Sequence, residues 1–165
     1  MGQVFLVEDL LHGEQLVALK ILRRSMLSPD AGERFKKEFQ AMTRLRHPNL
    51  ARVYDYGILD GSEEPFLTLE YLDGKSLSDY TPREIRPRLG ELVAQLSRAL
   101  DYIHTRGLLH NDIKPQNIVL LSSASGADEP AIVTKLMDFG LVQYLDQEEP
   151  SRRSGTVHYS APEVL

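Results

Sequence analysis

Two short stretches in the second half of the chain decide its fold: residues 110–117 read HNDIKPQN, and residues 138–140 read DFG. The first stretch places an aspartate, a lysine and an asparagine close together, as Asp112, Lys114 and Asn117. These side chains can meet at one site if the residues between them form a tight loop, which Pro115 favours. Asp138 adds a carboxylate after a strand-like run. The two stretches therefore predict a polar site on loops next to a strand.

These side chains suit phosphoryl transfer from ATP. That reaction needs Mg²⁺ on the phosphate oxygens, a positive group on the transferred phosphate and an acceptor for the proton of the attacking hydroxyl. Asp112 is the candidate base and Lys114 the candidate cation. Asn117 and Asp138 supply the oxygen ligands that Mg²⁺ prefers. A lone Asp-Phe-Gly would indicate a turn after a strand, but together with residues 110–117 it favours catalysis.

Composition excludes several other classes of function. The formal net charge of −5 gives no basic surface on the scale that nucleic acid or anionic membranes require. The absence of cysteine excludes disulfides, thiolate metal sites and cysteine nucleophiles, and it suits a reducing compartment. No apolar run approaches the roughly 18 residues that span a bilayer, and Met1 is not followed by a secretory signal. We therefore expect a cytoplasmic protein without nucleic-acid partners and without direct membrane contact from this segment.

The first half of the chain predicts strands around one helix. The β-prone runs are Gln3–Glu8, Glu14–Leu22, Leu50–Tyr56 and Phe66–Tyr71. Gly13 indicates a hairpin turn between the first two runs. A helix is predicted from the start signals at Ser28–Asp30 to the stop at His47–Pro48, because apolar residues recur between them at helical spacing.

The second half predicts a longer helix and then loops and short strands. This helix has Pro87 near its start and ends at Gly107. Its apolar positions are Leu89, Leu92, Val93, Leu96, Ala99, Leu100 and Ile103. Residues 122–130 form a serine-rich insert, which we expect to be a solvent-exposed loop between two strands.

The motifs follow one another in the order found in the eukaryotic-type protein kinase family, and the chain resembles that family over nearly its whole length. Gly2-Gln3-Val4 resembles the end of the glycine-rich loop that covers the nucleotide, and Val17–Lys20 resembles the third-strand motif. The resemblance implies that Lys20 binds the α and β phosphates. It also implies that Glu38, on the first helix, pairs with that lysine.

The resemblance extends to the hinge and to the activation segment. Leu69–Leu72 resembles the hinge, which implies that backbone groups of Glu70 and Leu72 bind adenine. Ala18 and Val119 fall at further nucleotide-binding positions. Residues 154–163, ending in Ala-Pro-Glu, resemble the end of the activation segment. The Lys-Pro-x-Asn form of the catalytic loop is that of serine/threonine kinases.

The sequence therefore predicts an α+β, two-lobed protein-kinase-like fold. Residues 1–72 form a small antiparallel-sheet lobe with the hinge, and residues 73–165 form an incomplete helical lobe. The implied function, in signalling, is direct in-line phosphorylation of serine or threonine hydroxyls on protein substrates, with ATP and Mg²⁺ as cofactors. Relative to the family, the first strand, two leading glycines and the later helices are missing. We therefore expect a domain truncated at both ends that is weakly active or inactive as an isolated segment.

Three alternatives remain. A nucleotide-binding pseudokinase or scaffold module is disfavoured because Lys20, Asp112, Asn117 and Asp138 are all present. A small-molecule phosphotransferase of related fold, such as an aminoglycoside kinase, is disfavoured by the Ala-Pro-Glu ending and by Lys114. The third alternative is an inactive fragment of a larger kinase.

The sequence departs from the family pattern beside the candidate base. Asn111 stands where many members have an arginine, which clamps a phosphate on the activation segment. Asparagine carries no charge for such a phosphate to neutralise. The sequence therefore predicts an enzyme that does not depend on activation-segment phosphorylation.

Overall fold

A computed structural model describes residues 3–10, 13–22, 39–62, 64–123, 131–138, 143–144 and 159. The chain forms two compact units. The first consists of Met1–Arg46 and Arg52–Tyr71, and the second of His47–Ala51 and Leu72–Leu165. An antiparallel sheet dominates the first unit, and the longest helix among the described residues lies in the second, which confirms the predicted fold class.

The first unit contains a four-stranded antiparallel sheet with the order β1-β2-β4-β3. Its strands are β1 (Gln3–Asp9), β2 (Gln15–Ile21), β3 (Val53–Ile58) and β4 (Pro65–Glu70). The turn between β1 and β2 contains Gly13 at φ 86°, a left-handed conformation that glycine adopts without strain. The four predicted strands are therefore present, each with small changes at its ends.

The helix predicted before His47 is described over residues 39–44, and its predicted start lies outside the described residues. Its apolar side chains Phe39, Met42 and Leu45 are all buried. The Phe39 ring stacks on Tyr56 of β3, with 6.0 Å between the ring centroids. Burial of this face explains why the apolar residues recur at helical spacing.

The described part of the second unit contains the helices α1 (Pro82–Ile85) and α2 (Leu89–His104). Strands β5 (Lys75–Ser76), β7 (Ile118–Ser123) and β8 (Ala131–Leu136) form one antiparallel sheet. Strands β6 (Leu108–Leu109) and β9 (Gln143–Tyr144) form another. β7 continues to Ser123, which pairs with Ala131, so the first two residues of the predicted serine-rich loop lie in a strand. Residues 124–130 lie outside the described residues.

Helix α2 buries one face against its own unit. Leu92, Gln95, Ala99 and Ile103 line that face at spacings of three and four residues. Leu89 and Val93, which the sequence also places on the apolar side, are 52% and 53% exposed. In the described part of the chain, no helix is both long and apolar enough to cross a membrane.

The segment 47–51 belongs to the second unit although its flanking residues belong to the first. Leu50 bridges to Leu136 of β8, and the N–H of Ala51 donates to the Leu136 carbonyl over 2.8 Å. This pairing explains why β3 begins at Val53 and not at Leu50, where the sequence predicted it.

A buried polar network fixes this segment. The Asn49 side-chain amide donates to Gln95 Oε1 over 2.7 Å and to the Thr134 carbonyl over 2.9 Å. Gln95 Oε1 also accepts from the Thr134 N–H, and Gln95 Nε2 donates to the Ile132 carbonyl. The network therefore joins the segment to α2 and β8, because each of these buried groups needs its partner.

Gly74 provides a test of the packing beside β7. A Cβ at this position would lie 2.5 Å from the Leu120 carbonyl oxygen, which is backbone and cannot rotate away. We expect Gly74→Ala to lower the free energy of unfolding by about 1–3 kcal/mol. A Cβ added at Gly90, in α2, would have no atom within 4 Å, so Gly90→Ala should be neutral or slightly stabilising.

Urea unfolding of both variants measures this difference. The midpoint for Gly74→Ala should fall while the slope with denaturant stays the same. Equal midpoints for Gly74→Ala and Gly90→Ala would show that the strand β7 accommodates the added methyl group.

Candidate active site

The loop before β7 brings the predicted catalytic residues together. Pro115–Asn117 form a single 3₁₀ turn, in which the Asn117 N–H donates to the Lys114 carbonyl over 2.9 Å. Proline suits the start of this turn because its ring fixes φ. Ile118 then enters β7. The turn reverses the chain and returns the Asn117 side chain to Asp112.

Asp112 is the centre of this loop. Its Oδ2 accepts from Lys114 Nζ over 2.7 Å and from Asn117 Nδ2 over 2.9 Å. The same Nδ2 also donates to the Asp112 carbonyl over 2.8 Å. The side chains of Asp112 and Lys114 are each 10% exposed, so water screens this ion pair less than a surface pair. The three predicted residues therefore form one preorganised polar group.

Asp138 is positioned by the β7–β8 ladder. Ile118 pairs with Leu136, and the Met137 N–H donates to the Asn117 carbonyl over 2.8 Å. Asp138 therefore follows directly after the residue bonded to Asn117. Its φ is 66°, a left-handed conformation that is uncommon for residues other than glycine. Strained backbone of this kind is concentrated at functional sites.

His110 supports the loop from inside the core. It is 1% exposed, and its Nε2 lies 3.2 Å from the Met137 carbonyl oxygen. Burial lowers the pKa of His110, although the bond to Met137 and the charges of Asp112 and Asp138 oppose this effect. A neutral ring can donate from Nε2 to Met137 and accept the Asp112 N–H at Nδ1, over 3.4 Å. His110 thus links Asp112 to the residue before Asp138.

Asn111 also has a left-handed backbone, with φ 59°. Asparagine tolerates this conformation better than most residues because its short polar side chain bonds locally. The residue therefore fits the local backbone as well as removing the charge that arginine would bring.

Three of the predicted nucleotide-binding residues of the first unit share one face of the sheet. Val4 pairs with Lys20, and Leu6 pairs with Ala18, in the β1–β2 ladder. Paired residues project on the same side of a sheet, as do residues two positions apart on a strand. Val4, Ala18 and Lys20 therefore lie side by side.

The hinge residues lie at the change from one unit to the other. Glu70 ends β4, and its N–H donates to the Arg52 carbonyl over 2.8 Å. In the second unit, the Leu72 carbonyl accepts from the Gly74 N–H over 2.9 Å, and Val119 of β7 is 7% exposed. Predicted residues Gly2, Glu38, Phe139 and Gly140 lie outside the described residues, as do residues 154–163 apart from Tyr159.

Sequence reasoning missed two supports of the site. One is Ser76, whose hydroxyl donates to the Pro115 carbonyl over 3.1 Å and so ties β5 to the catalytic loop. The other is the network of Asn49, Gln95 and Thr134. The position of Gln95 in the sequence indicated this network, because a polar residue on the buried face of a helix requires a buried hydrogen-bond partner.

The chemistry of the loop fits a magnesium ion. The Asn117 amide nitrogen donates to both the carbonyl and the carboxylate of Asp112, so the amide oxygen of Asn117 points away from that carboxylate. The amide oxygen of Asn117 and the carboxylate of Asp138 are hard oxygen ligands. Mg²⁺ typically binds one or two such protein ligands and takes the others from substrate phosphates and water. Among the described residues, no cluster of three or more histidine, aspartate or glutamate side chains offers an alternative metal site.

Comparisons with known proteins identify the family of the chain. The family model described as "Protein kinase domain" matches residues 1–165. A probable serine/threonine-protein kinase PknB of Lactococcus lactis is 31% identical over 99% of the chain. Serine/threonine-protein kinase A of Synechocystis is 35% identical over the whole chain. The chain spans 26% and 34% of the lengths of these two proteins.

A solved structure has the same fold. The crystal structure of the PknI kinase domain from Mycobacterium tuberculosis, as a double mutant, is 34% identical and superposes with a TM-score of 0.66. The match covers 85% of this chain and 56% of that one. The fold and the loop define a protein-kinase-like domain. The chain belongs to the protein kinase domain family, whose members use ATP with a divalent metal.

Proposed function

We propose that the protein phosphorylates serine or threonine hydroxyls of other proteins by direct in-line transfer from ATP. One observation carries the proposal: Asp112 accepts hydrogen bonds from both Lys114 and Asn117 on a loop next to Asp138. The names of the relatives and the Lys-Pro-x-Asn form of the loop support serine and threonine as acceptors.

In the proposed mechanism, Asp112 orients the substrate hydroxyl and accepts its proton as the oxygen attacks the γ-phosphorus. The bond between the γ-phosphorus and the bridging oxygen breaks, and ADP leaves. Lys114, held on the same carboxylate, neutralises charge on the transferred phosphate. Asn117 and Asp138 would hold Mg²⁺, which neutralises charge on the phosphate oxygens when bound. The bond from Asn117 to Asp112 fixes the carboxylate before substrate arrives, which lowers the cost of reaching a reactive geometry.

The first unit is proposed to bind the nucleotide. Lys20 would contact the α and β phosphates, while Val4 and Ala18, beside it on the sheet, would cover the adenine. Val119 keeps its predicted nucleotide-binding role. Backbone groups of Glu70 and Leu72 are the proposed adenine partners. Gly2 would let the backbone approach the phosphates, and Glu38 would pair with Lys20.

The finer organisation is also proposed. The boundary between the lobes is proposed at the hinge, with residues 1–72 on one side and 73–165 on the other, although the segment 47–51 and Leu72 group with the second unit. The absence of cysteine supports a cytoplasmic location. A pseudokinase or scaffold function is disfavoured because the polar side chains at Asp112, Lys114 and Asn117 are arranged for transfer and not merely for binding.

Phosphoamino-acid analysis tests the proposed function. The full-length protein, incubated with γ-labelled ATP, Mg²⁺ and a mixture of unfolded proteins, should label serine and threonine. ATP binding without any transfer would favour a pseudokinase. Labelling of an aminoglycoside, in a second reaction that contains one in place of the proteins, would favour a small-molecule phosphotransferase.

We expect activity that does not depend on phosphorylation of the activation segment, because Asn111 brings no charge beside Asp112. Full-length protein treated with phosphatase should keep most of its initial rate, and Ser151→Ala and Ser154→Ala should have little effect. These two serines lie outside the described residues.

The measurement is the initial rate before and after dephosphorylation. A fall of about a hundredfold, roughly 2.7 kcal/mol in the barrier, would show that another cation replaces the missing arginine. Removal of the phosphatase before the assay, with a mock-treated sample beside it, controls for loss of substrate label.

A further inference from the structure

Four basic side chains converge on the second unit, and none of them takes part in the proposed transfer mechanism. They are His47 in the segment before β3, Arg98 on α2, Arg106 just beyond α2 and Lys135 on β8. We call them the basic cluster. His47 and Lys135 lie far in sequence from the two arginines, so the tertiary fold brings them together.

Tyr102 organises the cluster. The His47 ring lies against the Tyr102 ring, with 5.1 Å between their centroids. The Arg106 guanidinium lies over the same ring, with its Cζ 3.7 Å from the centroid, and Arg106 Nη1 donates to the Tyr102 carbonyl over 2.9 Å. Stacking and this bond hold the guanidinium in place, which lowers the entropy lost when it binds an anion.

Arg98 and Lys135 extend the cluster on either side. Arg98 precedes Tyr102 by four residues on α2, so both lie on one side of the helix. Lys135 Nζ lies 3.3 Å from the carbonyl oxygen of Leu50, in the segment that carries His47. Arg98 and Arg106 are exposed, while His47 and Lys135 are half-buried. The arginine side chains are thus accessible to a ligand.

The charges in the cluster have the same sign. Burial lowers the pKa of His47, and the positive charges of Arg98, Lys135 and Arg106 lower it further. The whole chain has 24 aspartate and glutamate residues against 19 lysine and arginine residues, so this concentration of cations runs against its overall charge. A ligand with more than one negative charge would relieve the repulsion among these cations.

We propose that the basic cluster is a docking site for peptides that carry phosphoserine or phosphothreonine. Guanidinium groups bind phosphate through paired hydrogen bonds, and a phosphate brings nearly two negative charges where a carboxylate brings one. Arginine clusters of this kind recognise phosphorylated peptides in other proteins. Docking involves neither Asp112 nor Lys114, so it does not require catalytic turnover.

Fluorescence anisotropy with synthetic peptides tests the proposal. The full-length protein is first treated with phosphatase, which removes any phosphate of its own that could compete. A labelled phosphoserine peptide should bind at least about tenfold more tightly than its unphosphorylated form. Arg98→Glu should remove most of this preference, and so should Arg106→Gln. Arg83→Glu, at an exposed position on α1 of the same unit, makes the same change in net charge as Arg98→Glu and should leave the affinity unchanged.

His47 provides a second readout that is specific to the site. A bound phosphate offsets the neighbouring positive charges, so the pKa of His47 should rise when the phosphopeptide binds, as measured by NMR titration of its ring. Thermal melts of the variants should match the parent protein. An Arg98→Glu protein that melts lower is replaced by Arg98→Gln in the same assay.

Several results would overturn the proposal. They are equal affinity for the phosphorylated and unphosphorylated peptides, equal losses for Arg98→Glu and Arg83→Glu, or binding that leaves the His47 titration unchanged. Equal or tighter binding of a single-stranded oligonucleotide, or of vesicles containing phosphatidylserine, would identify a general polyanion surface and also overturn it.

Discussion

Asp112→Asn is expected to reduce phosphoryl transfer by about 10²–10⁴-fold while leaving ATP affinity nearly unchanged. The amide has the shape of the carboxylate, and its oxygen can take the place of Oδ2, which accepts from Lys114 and Asn117. The loop should therefore keep its structure. The variant lacks the negative oxygen that is proposed to accept the proton of the substrate hydroxyl, so the chemical step alone should slow.

Two measurements on the full-length protein separate chemistry from binding. Single-turnover transfer reports the chemical step, and titration with a fluorescent ATP analogue reports affinity. Asp101→Asn, an exposed carboxylate on α2, is the matched control and should retain full activity. Transfer by Asp112→Asn at the parent rate would refute the assignment of Asp112 as the base. A loss of ATP affinity as large as the loss of transfer would show that Asp112 also contributes to nucleotide binding.

Lys20→Met should have the second largest effect, about 10²–10³-fold on kcat/KM for ATP. Methionine keeps an unbranched apolar stem in β2, beside Val4 on the same sheet face, and removes the charge proposed to bind the phosphates. KM for ATP should rise and kcat should fall, because the contact both holds the nucleotide and aligns it. This pattern differs from that of Asp112→Asn, which should change kcat alone.

The matched control for Lys20 is Lys75→Met, which removes the same charge from an exposed position at the start of β5. Steady-state rates across a range of ATP concentrations distinguish the two variants. If Lys20→Met and Lys75→Met have the same kcat and KM, Lys20 does not contact the phosphates.

The local sequence determined the fold class and the catalytic loop. Four strands followed from β-prone runs with a glycine turn, and α2 followed from the apolar spacing of Leu92, Ala99 and Ile103. Asp112, Lys114 and Asn117 were predictable as one group because they are close in sequence and Pro115 restricts the loop. These sequence patterns extend over only a few residues. They reflect backbone preferences and the burial of one face of a helix or strand, which also act over a few residues.

The tertiary structure decided which distant residues meet. The segment 47–51 belongs to the unit of α2 and β8 because Asn49 finds its partners at Gln95 and Thr134, far along the chain. His47 lies beside Tyr102 and Arg106 because the fold brings this segment against α2. A buried amide or a stacked ring is satisfied by whichever partner the fold presents, and no local pattern encodes that partner. The sequence alone therefore determined the catalytic loop, whereas the basic cluster exists only in the folded chain.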